Sequence, residues 1–198
     1  YRLARIFCNS ENEIWGLIYG EIFINLERNT QRTREMSAIL YQTYQNAFLF
    51  GKDGVGLSFA KDMTPFTMAF EATMATAAAQ YQLSNKKASI NVASLLSIRK
   101  AFMTSWLQSD YAKQFPVQLF DFWQGIDDMN FFECYHYWAF SQAPNDQFEK
   151  WRKANETNFG YFVKWYNPNP IVITEANYFS RSKMLNWVGK EPLVLLIR

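Results

Sequence analysis

The sequence predicts a mainly α-helical fold: one compact domain of about seven to nine helices, with a small β element that joins the N- and C-terminal segments. Three observations support this prediction. Apolar residues recur at helical spacing over most of the chain. Helix start and stop signals separate these stretches. Aromatic residues make up 18% of the 198 residues, and hydrophobic residues make up 49%, which is enough for a sizeable core.

The first helical stripe is preceded by a capping-box motif. Ser10 and Glu13 have the spacing S-x-x-E, which predicts a helix start, and Asn29 suits its end. The stripe itself consists of Trp15, Tyr19, Ile22 and Leu26. A second helix is expected over residues 33–50, with Gly51 as its C-cap.

Residues 51–58 are rich in glycine and predict a flexible loop. Glycine-rich loops can bind phosphate, but this one lacks the G-x-x-x-x-G-K-[ST] order. No hydrophobic strand is expected ahead of it. We therefore expect no phosphate site here.

Two further helices follow in the middle of the chain. Thr64 is expected to cap the third helix, because Pro65 then occupies the first helical position, where its missing N–H costs nothing. The fourth helix is expected after Asn85. Its apolar residues are predicted to face inward, and its cationic residues are predicted to lie at its start or on its solvated side: Lys86, Lys87, Arg99 and Lys100.

The second half of the chain predicts four shorter helices. One begins near Pro116 and ends at Gly125. The next is capped by Asp127, runs to about residue 141, and is apolar nearly all round, so it should be central. Two more are expected over residues 144–151 and 155–166.

The two termini suggest a small sheet. Residues 3–7, 171–174 and 192–197 are short apolar runs that predict strands, although such runs also occur as buried coil. One more helix is predicted over residues 180–188, between the last two of these runs, and Gly189 is expected to end it.

The two cysteines, Cys8 and Cys134, have no dense spacing. We interpret them as free, mostly buried thiols, and leave a disulfide between them open. No apolar run approaches the roughly 18 residues that a membrane span needs. The compartment stays open, with the cytoplasm favoured.

The only histidine, His136, follows Glu133 at the spacing Glu-x-x-His, which places both on one helical face. Di-metal helical bundles use this spacing, but a complete site needs a second such motif. We therefore interpret His136 as a histidine hydrogen-bonded within an aromatic helix, and expect neither a metal nor a cofactor. A Ser–His or Cys–His nucleophile pair would have to use His136, which disfavours an enzyme without excluding one.

The charge distribution is uneven, although the net charge is only +2. Residues 121–149 carry six carboxylates and no Lys or Arg. Such a block can steer a binding partner, or it can face cations in the fold and be neutralised. Asp127 and Asp128 are also explained by a helix cap and by a helix dipole, respectively.

Two hypotheses on function follow. The first is a non-enzymatic interaction or regulatory domain that binds a protein partner through the acidic segment 121–149 or a groove beside it. The second is an enzyme or small-ligand-binding protein with an aromatic pocket around Glu133, His136 and Trp138. Nucleic acid is a disfavoured partner, because the basic-aromatic residues 151–166 are expected to turn their rings inward. The oligomeric state stays open. The candidate binding residues are Asp127, Asp128, Glu133, His136 and Trp138.

Overall fold

A computed structural model of the protein describes residues 1–185. This part of the chain is mainly α-helical, as predicted, with eleven helices and one two-stranded sheet. The first half contains α1 (Arg2–Cys8), α2 (Glu13–Leu26), α3 (Gln31–Ala47), β1 (Phe48–Gly51), β2 (Gly54–Leu57), α4 (Pro65–Ser84) and α5 (Val92–Gln108). The second half contains α6 (Tyr111–Gln114), α7 (Gln118–Asp128), α8 (Phe132–Ala139), α9 (Gln147–Ala154), α10 (Glu156–Tyr166) and α11 (Arg181–Leu185).

The small sheet does not lie where the sequence suggested. Residues 3–7 belong to α1, because Ala4 and Cys8, one helical turn apart, are both buried and α1 packs against α2. Residues 171–174 form no strand, although Ile171 is buried. The predicted strand at 192–197 and the end of the helix predicted over 180–188 lie outside the described residues.

The sheet is instead an antiparallel hairpin in the segment predicted as a helix end and a flexible loop. Strand β1 pairs with β2 from Phe48↔Leu57 to Gly51↔Gly54. The two-residue turn leads into Gly54, whose φ of 133° is a conformation that glycine adopts without strain. The Phe48–Phe50 run, which was predicted as the end of a helix, has the aromatic character that favours a strand.

The N-termini of the helices agree with one predicted cap and differ from another. Thr64 caps α4 as predicted, since its hydroxyl accepts from the Thr67 N–H, and Pro65 follows it. The Ser10 capping box does not form. The Ser10 hydroxyl accepts from the Asn12 N–H instead, and Asn12 is the N-cap residue of α2. The fourth predicted helix, α5, begins only at Val92.

The region around Asp127 also differs from its prediction. Gly125 does not end α7, which continues to Asp128, so Asp127 lies in the last turn of α7 and does not cap α8. The turn between the two helices contains Asn130 with a φ of 58°. Helix α8 then begins at Phe132 without a side-chain cap.

The core is a continuous cluster of buried side chains, most of them apolar and many aromatic. Helix α8 is central, as predicted, because six of its eight residues are buried. Both cysteines are free and buried, and burial raises the pKa of each thiol to about 11. No helix among residues 1–185 has the length and apolar character to cross a membrane.

Candidate functional site

A buried carboxylate, Glu21 of α2, organises a polar cluster in the core. Its Oε1 atom accepts hydrogen bonds from Arg99 Nη2 at 2.5 Å, Trp123 Nε1 at 2.8 Å and the Tyr135 hydroxyl at 2.7 Å. The Glu21 and Arg99 side chains are 1% and 0% exposed. A buried carboxylate needs such charged and hydrogen-bonding partners to be tolerated.

The prediction that Arg99 lies on the solvated side of α5 is therefore wrong. Its guanidinium lies 4.2 Å from the centre of the Trp123 ring and 5.0 Å from that of Phe140. The charge of Glu21 and the faces of these rings both favour a cation. The carboxylate and the ring faces together stabilise a guanidinium at a core position that an apolar side chain would ordinarily occupy.

His136 is part of the same buried cluster. Its Nε2 lies 2.8 Å from the Val92 carbonyl oxygen, so this nitrogen carries the proton and donates it. Nδ1 then accepts from Arg99 Nη1 at 3.0 Å. Burial, together with the charge of Arg99, holds the pKa of His136 well below its ordinary value. The ring is neutral, and both nitrogens are occupied.

The Glu-x-x-His spacing brings no metal site together. The Glu133 side chain is exposed, and its carboxylate accepts from Trp151 Nε1 at 2.8 Å, whereas His136 has no free nitrogen to coordinate an ion. Across the described residues, no group of three or more His, Cys, Asp or Glu side chains has a metal-binding arrangement.

A second branch of the cluster extends toward the surface. Asn25 Nδ2 donates to the Tyr135 hydroxyl at 2.7 Å, and the Tyr166 hydroxyl donates to Asn25 Oδ1 at 2.6 Å. The Arg28 guanidinium covers the Tyr166 ring at 3.7 Å. Sequence reasoning missed this branch, although Glu21 and Asn25, one turn apart in a strongly apolar helix, are a signal for buried polar partners.

The acidic segment 121–149 remains largely unneutralised. Of its six carboxylates, only Glu149 forms an ion pair within residues 1–185, with Arg152 at 2.9 Å. Asp127 is half-buried, and the other five are exposed. Partial desolvation of its carboxyl by the surrounding protein raises the pKa of Asp121. Direct ion pairs therefore do not support the alternative that cations facing this segment neutralise its charge.

Asp127 and Asp128 occupy the C-terminal end of α7. The helix dipole is negative at this end, so carboxylates are disfavoured there. Neither residue caps α8, whose N-cap is Phe131. The prediction that Asp127 caps a helix is wrong, and so is the prediction that Asp128 interacts favourably with a helix dipole. Helix stability therefore does not explain why carboxylates occur at these two positions.

An open cleft lies beside the acidic segment. It has a volume of about 720 Å³ and lies between α3, the α8–α9 connection, α9 and α10. Trp138, Phe148 and Val163 contribute apolar surface. The charged side chains that line it are Arg34, Asp146, Glu149 and Arg152. The cleft thus combines aromatic surface with charges of both signs.

The backbone around this cleft is unusual. Among residues 1–185, four non-glycine residues have positive φ, and three of them line the cleft: Asn29 at 62°, Asn145 at 65° and Asp146 at 53°. Such conformations are sparsely populated and often occur at binding sites. Asp146 precedes α9 but makes no side-chain capping bond, so its carboxylate remains exposed at the cleft.

The structure separates the residues proposed for an aromatic pocket. Trp138 lines the cleft, whereas Glu133 and His136 do not. Glu133 is exposed outside it, and His136 is sealed in the core. Asp127 and Asp128 lie at the α7–α8 turn.

In comparisons with known proteins, no family model matches the chain, and neither a curated protein nor a solved structure is significantly similar to it.

Proposed function

We propose that the protein is a non-enzymatic interaction domain that binds a basic segment of a partner protein. The binding surface is the acidic corner, which we define as Asp127, Asp128 and Glu133 together with the turn that joins α7 to α8. The observation that carries the proposal is that none of these carboxylates forms an ion pair in the described part of the chain.

Electrostatics favours a cationic partner at this corner. Two carboxylates lie at the negative end of the α7 dipole, and Glu133 follows within the first turn of α8. An unneutralised field of one sign attracts a partner of opposite charge and increases the association rate.

The acidic corner includes an apolar contact point. Met129 lies in the turn directly after Asp128 and is 47% exposed. Methionine is flexible and polarisable, which suits it to contact apolar groups of varied shape. A partner segment that combines cations with an aliphatic or aromatic side chain would therefore fit both features.

The buried histidine supports a binding role over catalysis. His136 is the only histidine of the chain, and both of its nitrogens are held in core hydrogen bonds. A general base must reach a substrate proton, and this ring has no contact with the cleft.

Affinity capture with matched variants tests the proposal. The bait is the wild type, the variant Asp127→Asn/Asp128→Asn/Glu133→Gln, or the control Asp110→Asn/Glu156→Gln/Glu175→Gln, which neutralises three exposed carboxylates elsewhere. We expect a stoichiometric protein partner on the wild type and the control, lost from the variant and at high ionic strength. Equal recovery on all three baits would contradict the proposal.

A small-ligand-binding protein is a second candidate, favoured by the cleft. Its volume of about 720 Å³ lies in the range of small-molecule sites, which combine apolar walls with a few polar groups. Of the three residues expected to form an aromatic pocket, Trp138 lines this cleft, whereas Glu133 and His136 do not.

Thermal-shift screening of metabolites tests this second candidate. Val163→Trp fills the cleft, and Tyr161→Trp places the same ring on an exposed position of α10 that does not line it. A ligand that raises Tm for the wild type and Tyr161→Trp, but not for Val163→Trp, supports a cleft ligand. A shift shared by all three proteins argues against it.

A further inference from the structure

The β1–β2 hairpin has an unpaired outer edge. The Ser58 N–H donates to the Ala47 carbonyl at 3.3 Å, which makes Ala47 and Ser58 a hydrogen-bonded pair. Such pairs alternate with non-hydrogen-bonded pairs along an antiparallel ladder. The next hydrogen-bonded pairs are therefore Leu49↔Gly56 and Gly51↔Gly54. In an antiparallel pair the intervening residue turns its backbone groups outward. The N–H and C=O of Phe50 therefore point away from β2, and neither has a hydrogen-bond partner among residues 1–185.

A groove runs along this hairpin. It has a volume of about 670 Å³ and lies between β1 and residues 88–90. The strand beside it is held in place, because Phe48 is buried and Gln82 Nε2 donates to the Gly51 carbonyl at 2.6 Å. A positioned strand edge with free backbone groups is a template for an additional strand.

The outer face of the hairpin offers one apolar side chain. Leu49 is 71% exposed, and the residue paired with it is Gly56, which has no side chain to cover it. An added strand places alternate side chains on the two faces of a sheet. Every second residue of such a strand can therefore contact the surface around Leu49.

The charges around the groove favour an acidic occupant. Lys52 lines the groove, and Lys86 and Lys87 directly precede its other wall. All three are exposed, and none forms an ion pair within the described residues. Asp53 is the one acidic residue of the lining and offsets Lys52, so the cationic excess beside the groove comes from Lys86 and Lys87.

We propose that the edge of β1 binds an extended, acidic segment of another protein by β-strand addition. Backbone hydrogen bonds to Phe50 supply the pairing, and Lys52, Lys86 and Lys87 select carboxylates in the incoming strand. This site does not depend on the acidic corner, which has the opposite charge and lies on other elements. Failure of either proposal leaves the other intact.

A peptide titration followed by backbone-amide NMR tests the proposal. The probe is a capped hexapeptide of alternating glutamate and valine, and the comparison peptide has the same sequence with every residue N-methylated, so that it has no backbone N–H to donate in either register. The variants are Lys86→Glu/Lys87→Glu and, as a control, Lys153→Glu/Lys164→Glu, which reverses exposed lysines of α9 and α10.

The expected result is saturable binding with the largest shift at the Phe50 amide. Binding should weaken about tenfold in Lys86→Glu/Lys87→Glu, keep its strength in the control, and be lost for the N-methylated peptide. Equal binding of the N-methylated peptide would overturn the proposal, as would unchanged Phe50 signals. A concentration-dependent dimer formed through β1 without peptide would also overturn it, because the occupant would then be a second copy of the chain.

Discussion

Arg99 Nη2 donates to Glu21 Oε1 at 2.5 Å in the centre of the molecule, where both side chains are buried. The two residues come from α5 and α2, so their ion pair joins elements that are distant in the chain. Because Glu21 also accepts from Trp123 and Tyr135, the pair fixes the relative positions of α2, α5, α7 and α8.

Breaking this ion pair should strongly lower the free energy of unfolding. Arg99→Met leaves the Glu21 charge uncompensated, and we expect a loss of about 3–5 kcal/mol in the free energy of unfolding. Glu21→Gln should cost much less in the Arg99→Met background than in the wild type, because the uncompensated charge is then removed. Denaturant unfolding of all four proteins measures this coupling, and additive effects would show that the pair is not energetically linked.

His136 should make stability fall at mildly acidic pH. Its pKa is lowered in the folded protein by burial and by Arg99, so below its ordinary value of about 6.5 the unfolded state binds more protons. The free energy of unfolding should then decrease as pH falls, with a slope of up to about 1.4 kcal/mol per pH unit.

His136→Gln keeps a donor and an acceptor but cannot titrate. The difference in unfolding free energy between wild type and variant should therefore change with pH below about 6.5 and be constant above it. Denaturation at several pH values measures this difference. A difference that is the same at every pH would contradict the assignment of a buried neutral ring.

Two glycines of α2 should respond unequally to alanine. A Cβ on Gly16 would lie 2.4 Å from the Cys8 backbone nitrogen, whereas on Gly20 it would meet the flexible side chains of Met36 and Leu40. We expect Gly16→Ala to lose about 1–3 kcal/mol through overpacking against α1. Gly20→Ala should lose less, because those side chains can shift and alanine favours a helix. Thermal unfolding of both variants checks this order, which a larger loss in Gly20→Ala would refute.

Neutralising the acidic corner should not destabilise the protein. Asp127→Asn and Asp128→Asn each remove a carboxylate from the negative end of α7. We expect each change to leave the free energy of unfolding unchanged or to raise it by about 0.3–1 kcal/mol. Denaturant unfolding at low salt checks this prediction, and a clear loss of stability would indicate a structural role for these carboxylates.

Local sequence signals predicted much of the helical fold. The Thr64–Pro65 start of α4 and the central position of α8 follow from capping chemistry and from apolar periodicity. The hairpin was missed because a short, glycine-rich segment carries no clear period. The limits of α7 were missed because Gly125, with open space around it, is tolerated inside the helix.

The candidate site was harder to predict, because it depends on contacts between distant residues. Trp138 does line a cleft, but the burial of Arg99 follows from its pairing with Glu21, 78 residues away. Helical spacing placed Glu133 beside His136. Whether such neighbours face solvent or the core depends on how α8 packs, and this cannot be read from their spacing.

Hydrogen exchange of the protein, with and without a captured partner, tests whether the acidic corner is the surface that binds the partner. The amides of residues 127–133 define the turn of the acidic corner. We expect the partner to slow their exchange, and we expect this protection to disappear at high ionic strength. Protection confined to other surfaces, with exchange at the acidic corner unchanged, would contradict the proposal that this corner binds the partner.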